Sequence, residues 1–445
     1  MSESQLIGDN KMKTRTLILG AGLTGLSAAY HAKGTDFIVV EKSDHVGGIC
    51  TSEHKNGFVF DQTGHWFHVK TSEVRSLMTR LFGQNTVEIE RKTFVFSHNV
   101  FTQYPFQSNT FGLPPQVIKE CVLGFVKAYY ENDKSKAKEN FYEWCMAYLG
   151  EGISKHFMIP YNTKIYTVHP KDYASHWCDY YVPKPTLEQV IEGAVTAPEQ
   201  KNIGYNAKFF YPKENGIGEL PKKLFDLCEK EKFIFNAEPV SIDTSKKVAK
   251  LINGTEIEYE TLINTIPLNK FLKLLTDSAE LPAREISDRM KIAHVSYFNA
   301  AFKKPCGHKG HWFYIPEEKF MPYRVGSFSN IYSKLAPVGK GSAYIEFTHQ
   351  EENIDTELFY KKSVELLLAM GLISSKNDIE FMDYRKIDAG YVIYHKEYFD
   401  DMVLIEKWCA ENSVKLAGRY GKWTYSAMED AILDGMKAVH PTSNY

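Results

Sequence analysis

Three glycines, Gly20, Gly22 and Gly25, and an acid at Glu41 carry the plainest chemical signal in this 445-residue sequence. Gly20 permits a tight turn out of a strand. Gly22 lets bare backbone approach a diphosphate, and Gly25 lets a helix pack close to a sheet. Leu23 and Thr24, between the last two glycines, are candidate contacts where a helix N-terminus offers unpaired N–H groups to an anion. Glu41 stands 21 residues after Gly20, where a carboxylate accepts hydrogen bonds from ribose and disfavours a 2′-phosphate. The glycines alone could form an ordinary turn. Strand, glycines, helix, strand and acid in that order predict a dinucleotide site. Two histidines, His65 and His68, follow soon after, with no third ligand near enough for a metal. Cys306-x-His308-x-x-His311 has metal-like spacing, but a turn before a strand explains it better, so no metal is expected.

Thr16–Leu19 and Phe37–Val40 read as buried strands, with a helical run at Leu26–Ala32 between them. Residues 70–93 read as a helix followed by an acidic strand. Residues 113–160 are helical, with apolar positions such as Val117, Cys121, Phe125, Phe141, Trp144 and Leu149. From about 268 to 400 the pattern becomes β-rich, with strands at His294–Phe302, His311–Ile315, Arg324–Phe328, Ser342–Thr348 and Gly390–Tyr394. Thr261–Ile266 and Val414–Ala417 are further buried strands. A chain of this length holds two or three packed units. Its charge is nearly balanced, 53 basic against 55 acidic residues, which gives no electrostatic case for nucleic acid or acidic membranes. Aromatic residues make up 14%, which suits either large cores or a pocket with polar-tipped walls. Seven scattered cysteines without a CxxC pair read as reduced thiols of a cytoplasmic protein. The polar N-terminus has no signal-peptide core, no apolar run is long enough to span a membrane, and both Met1 and Met12 could be the natural start.

The continuation beyond Glu41 and Lys42, through Gly47-Gly48-Ile49 to Ser52, resembles the "E-x5-GG-x3-S" extension of the FAD-dependent amine oxidase, protoporphyrinogen oxidase and UDP-galactopyranose mutase superfamily. Many amine oxidases have Arg where Ile49 stands. Gly418-Arg419-Tyr420-Gly421 through Tyr425, Ala427 and Met428 resembles the C-terminal segment of the mutase-like and protoporphyrinogen-oxidase-like branches. The resemblance implies non-covalent FAD, with Arg419 neutralising its phosphate, a helix from Met428 aimed at the flavin, and the Val240 backbone meeting adenine. NAD(P)H is a candidate external reductant. Further similarity lies in Asn140–Lys164 and Phe209–Leu224, so the resemblance spans roughly residues 14–440. It implies an α/β fold: a discontinuous Rossmann-like FAD-binding domain (12–95, 205–267 and 401–445), a mainly helical insertion (96–204) and a mixed-sheet substrate domain (268–400).

By the same resemblance, Gly64-His65-Trp66-Phe67-His68 passes the reactive face of the flavin. His65, His68, Arg324 and Tyr391 are then candidate catalytic residues and Trp66 a candidate substrate contact. Tyr166 takes the place of a substrate-contacting Trp, Tyr391 and Tyr425 match tyrosines that reach nucleotide-sugar phosphates, and Arg324 matches an Arg before the strand over the flavin. The two arginines that hold a sugar diphosphate in the mutases are absent, one near Asp179–Tyr181 and one at Ile345. That departure favours an oxidoreductase passing hydride from a polar small molecule to flavin N5. The alternative is a redox-neutral mutase in which reduced flavin N5 attacks the anomeric carbon of a nucleotide sugar. A non-catalytic FAD-dependent scaffold is the third class.

Overall fold

The computed structural model describes residues 11–131, 133–197, 208–277 and 281–440; Met1 and the 204/205 boundary lie outside them. Lys11–Leu19 is the central strand of a seven-stranded sheet, running parallel to Phe37–Val40 on one side and Glu256–Asn264 on the other. Phe37–Val40 is buried throughout, as expected for a strand covered on both faces. Phe233–Ile234 extends the sheet beyond it. Val414–Leu416 runs parallel to the second half of Glu256–Asn264, whose first half pairs antiparallel with Val248–Leu251, which in turn pairs antiparallel with Pro239–Asp243. Helix Leu23–His31 packs between this sheet and helix Met428–Val439, and seven of its nine residues are buried.

A second seven-stranded sheet runs in the order Ile379–Val392, Ile292–Phe302, Gly341–His349, Arg324–Gly326, Trp312–Tyr314, Thr93–Ser97 and Val100–Gln103. All its pairings are antiparallel except that of Trp312–Tyr314 with Thr93–Ser97, so the sheet is mixed. The hairpin Thr93–Gln103 spans the expected 95/96 boundary and lies in this second sheet. Helices Pro115–Glu131, Phe141–Ile153 and Ile159–Tyr166 form the helical insertion around Phe106, Phe141, Trp144 and Tyr173. The chain is therefore α/β, with a Rossmann-like unit gathered from separate segments.

Two strands depart from expectation for physical reasons. The strand expected at Gly390–Tyr394 begins at Ile379. Its charged first part is held by ion pairs to the hairpin Ser52–Asp61, Arg385 with Glu53 and Lys55 with Asp383. The strand expected at Arg324–Phe328 stops at Gly326, because the Ser327 hydroxyl accepts the Asn330 N–H and caps a helical turn from Phe328. Among the described residues no helix is long and apolar enough to cross a membrane.

Candidate active site

The glycine turn is built by close backbone approach. A side chain at Gly25 would strike the Gly20 carbonyl at 1.9 Å, and one at Gly418 would strike the Thr24 hydroxyl at 2.3 Å. Gly22 differs: a Cβ there would meet nothing nearer than Gly48 Cα at 4.0 Å. The helix from Leu23 has no side-chain cap and no acid in its first turn, so its leading N–H groups face this open space. Gly47 closes the other side, its N–H donating to the Ala21 carbonyl at 2.9 Å. Gly48 is exposed and Ile49 half-buried beside it. An open glycine cradle at an uncapped helix start fits a diphosphate.

Glu41 is buried, and its carboxylate accepts the Ala21 N–H at 2.7 Å and the Ser43 N–H at 2.9 Å. It therefore clamps the glycine turn itself, while each oxygen keeps further lone-pair capacity. Lys42 is exposed. The ladder between Pro239–Asp243 and Val248–Leu251 shifts register between Pro239 and Ser241, at Val240, whose side chain is exposed. Such a bulge leaves a backbone unit out of the ladder.

Arg419 lies in a ring of tyrosines: its guanidinium is 4.9 Å from the Tyr425 ring and 5.5 Å from Tyr391. Its hydrogen-bond partners are the carbonyls of Ser426 and Gly390, at 3.5 and 3.3 Å, and its Nε is enclosed without a partner. A half-buried guanidinium with no carboxylate partner among the described residues suits an anion supplied from outside. Tyr425 is the most open member, and the Tyr181 hydroxyl donates to its carbonyl. Tyr391 shares a 3.0 Å hydrogen bond with the Tyr323 hydroxyl, and buried Tyr166 stands edge-on to it. Met428 packs against Cys50, with Ala427 as the N-cap of its helix.

His65 and His68 are half-buried, and desolvation pushes both imidazoles down to about 4, so both are neutral at pH 7. His68 Nδ1 lies 2.9 Å from the Lys208 carbonyl, which can only accept; Nδ1 therefore carries the proton and Nε2 is left as acceptor. His65 Nδ1 is enclosed without a partner. Trp66 corrects its expected exposure to substrate: it is buried, with Phe209 at 4.7 Å and Trp312 at 4.1 Å against its rings. Only its enclosed Nε1 is unpartnered.

Arg324 forms a two-pronged ion pair with Glu346, which lies opposite it on the neighbouring strand. Residue 345 needs a correction. Ile345 points to the far face of the sheet, into a core with Phe313 and Phe347, so its lack of charge is irrelevant to the face that carries Arg324 and Glu346. Asp179 is engaged by the Trp144 indole and Lys184. Cys306 makes its contacts with Ser327, Ser329 and the Ser342 carbonyl, and no metal-binding cluster occurs among the described residues.

Three polar residues escaped sequence reasoning because their partners are distant in the chain. Asp61 accepts from Ser52, Tyr211 and the Ile217 N–H, and burial pushes its carboxyl up to about 6. Glu429 accepts the backbone N–H groups of Lys70 and Thr71, fixing the segment after His68. Lys164 donates to the carbonyls of Ile315, Glu317, Phe320 and Pro322, which fixes the loop leading to Tyr323 and Arg324. The acidic residue after Met428 and the lysine in Pro160-Tyr161-Asn162-Thr163-Lys164 were visible, but nothing local assigned their partners.

Known proteins share this architecture. A reduced UDP-galactopyranose mutase superposes with a TM-score of 0.90 at 24% identity, covering 96% of this chain and 94% of that one. An Exiguobacterium protein assigned as a protoporphyrinogen oxidase gives 0.76 at 13% identity, covering 98% and 99%. A wild-type putrescine oxidase bound to putrescine gives 0.64 at 15% identity, covering 97% and 99%. At these identities the likeness establishes the fold. The model of the flavin-containing amine oxidoreductases matches residues 23–440, nearly the whole chain, and the chain belongs to that family of flavoenzymes.

Proposed function

We propose that the chain holds FAD non-covalently and rearranges the ring of a sugar substrate without net redox change, the type of reaction named by its mutase neighbour. The observation that carries this reading is the tyrosine cluster beside Arg419. Exposed Tyr425 and half-buried Tyr391 offer ring faces and hydroxyls, which suit a polyhydroxylated ring, with buried Tyr166 and Tyr323 packed behind Tyr391. The buried carboxylates Asp61, Glu346 and Glu429 are each engaged within the protein. A cationic amine would therefore find no uncommitted carboxylate among these three.

When bound, the flavin supplies through N5 either a nucleophile for an anomeric carbon or an acceptor for substrate hydride. In this reading Gly22, Leu23, Thr24 and Gly48 receive the FAD diphosphate, Glu41 the ribose, and the Val240 backbone the adenine. The neutral His65 and His68 line the reacting face, with His68 Nε2 able to hold a proton from a substrate hydroxyl. Tyr391, held by its hydrogen bond with Tyr323, orients the sugar, and Arg419 meets a phosphate oxygen. All seven cysteines are buried and unpaired, in keeping with the reducing cytoplasm as the proposed location.

The second reading is an oxidoreductase transferring hydride from a polar small molecule to flavin N5, favoured by the description of the family. One experiment separates them: reduce the FAD-loaded protein anaerobically, incubate it with a panel of nucleotide sugars, then repeat with polyols and amines under air. Ring isomers formed without net flavin oxidation support the mutase. Peroxide formed in proportion to substrate loss overturns it in favour of the oxidoreductase.

A further inference from the structure

Arg91 is a cation that the proposed reaction leaves without a role. It stands in the two-residue link between strands Thr86–Glu90 and Thr93–Ser97, which belong to different sheets. His311 fixes that link from both sides: its ring Nδ1 accepts the Lys92 N–H at 3.2 Å, and its own N–H donates to the Lys92 carbonyl at 2.7 Å. Desolvation holds His311 at about 4, so this acceptor nitrogen stays free of a proton at neutral pH.

The Arg91 guanidinium lies over two aromatic rings, 5.3 Å from Tyr104 and 5.7 Å from Trp312. Trp312 also carries Arg324 at 5.5 Å and stacks on Trp66, next to His65. Tyr104 packs on Tyr314, with ring centroids 4.9 Å apart. Arg91 thus shares the Trp312 ring with Arg324. Arg324 has its charge met by Glu346. Arg91 has no ion pair or hydrogen bond among the described residues. Ring contacts hold a guanidinium without using its N–H fork, which stays free to match two oxygens of a phosphate or carboxylate.

We propose that Arg91 binds an oxyanion carried by the substrate, a phosphate or a carboxylate, and so selects an anionic sugar derivative over a neutral sugar. The inference deepens the proposed function and rests on it for the location of the substrate. A fixed link, two ring supports and an unmet charge make Arg91 preorganised for such a contact.

The test uses FAD-loaded wild-type, Arg91→Met and Arg91→Lys proteins, titrated with glucose 1-phosphate, glucuronate and glucose and read by the flavin difference spectrum. Wild type is expected to bind one of the anionic probes at least about tenfold more tightly than glucose. Arg91→Met is expected to lose that preference by about 10- to 100-fold with glucose binding unchanged, as for loss of a charge-assisted contact. Arg91→Lys keeps the charge without the fork and falls between. The probe that responds identifies the oxyanion. A wild type with no anionic preference, or an Arg91→Met protein that retains it, overturns the inference and leaves the proposed function standing. A chain that takes up no FAD overturns the proposed function and the inference together. Arg91→Gln gives the same readout if Arg91→Met does not fold.

Discussion

Asparagine at position 61 preserves the shape of the aspartate and removes its titration. In the wild type the Asp61 carboxylate is buried 1% exposed, with Ser52, Tyr211 and the Ile217 N–H around it. Burial opposes the charge more strongly than these donors favour it, so the carboxyl titrates at about 6 instead of 3.8. The folded protein therefore binds this proton more tightly than the unfolded chain does. Its contribution to stability is fully present below pH 3.8 and is lost as pH rises through 6. At about 1.4 kcal/mol per tenfold change in proton affinity, the whole effect is about 3 kcal/mol. About 2 kcal/mol of it falls between pH 7.5 and pH 4.5. Asp61→Asn lacks this dependence, and its amide can donate to the Tyr211 oxygen in place of accepting from it. Urea unfolding of the two FAD-loaded proteins at pH 7.5, 6.0 and 4.5 measures the difference between them. The gap is expected to move toward wild type by about 2 kcal/mol as the solution is acidified. A gap that stays constant, or that moves toward the variant, refutes the assignment of a raised carboxyl to Asp61.

Gly22→Ala is expected to leave the melting temperature of the FAD-free protein unchanged, because the new methyl meets no protein atom nearer than 4.0 Å; FAD affinity, followed by flavin fluorescence, falls by at least about tenfold as the methyl obstructs the diphosphate. Glu346→Gln leaves the buried Arg324 charge without its counter-ion and is expected to cost about 3–5 kcal/mol in denaturant unfolding, whereas Arg324→Met with Glu346→Leu recovers most of that loss. Lys164→Met removes the ammonium shared by four carbonyls and is expected to cost about 2 kcal/mol; hydrogen exchange of residues 315–322 reports it, with faster exchange expected there than in Lys11–Leu19.

The cofactor half of the site was legible because its determinants are local. Gly20, Gly22 and Gly25 act through backbone shape, and Glu41 lies at the end of the next strand. The other half is assembled by sheet pairing. Asp61 meets Tyr211 and Ile217, Glu429 meets residues 70 and 71, and Arg91 is fixed by His311. No spacing rule joins residues 150 or 359 positions apart. Ile345 shows the limit of motif matching more sharply. A shift of one residue along a strand changes the face, so an arginine expected at that position says nothing until the register is known. Trp66 makes the same point: its type suited a ligand wall, but Phe209 and Trp312 already cover its rings.

The first sheet draws its neighbouring strands from residues 11–40, 233–264 and 414–416. Growing from the ribosome, the chain must wait: Glu256–Asn264 reaches the central strand only after the whole stretch from residue 20 to 255 has been made, and Gly418 meets Thr24 later still. Until then the edge of Lys11–Leu19 is exposed to mispairing and capture by other strands. A binding site closed by so late a segment also checks that synthesis has passed it, since a chain released before residue 414 lacks both the strand beside Glu256–Asn264 and Gly418 against Thr24. Pulse-labelled nascent chains should gain FAD-dependent protease resistance late and in one step, rather than gradually with length.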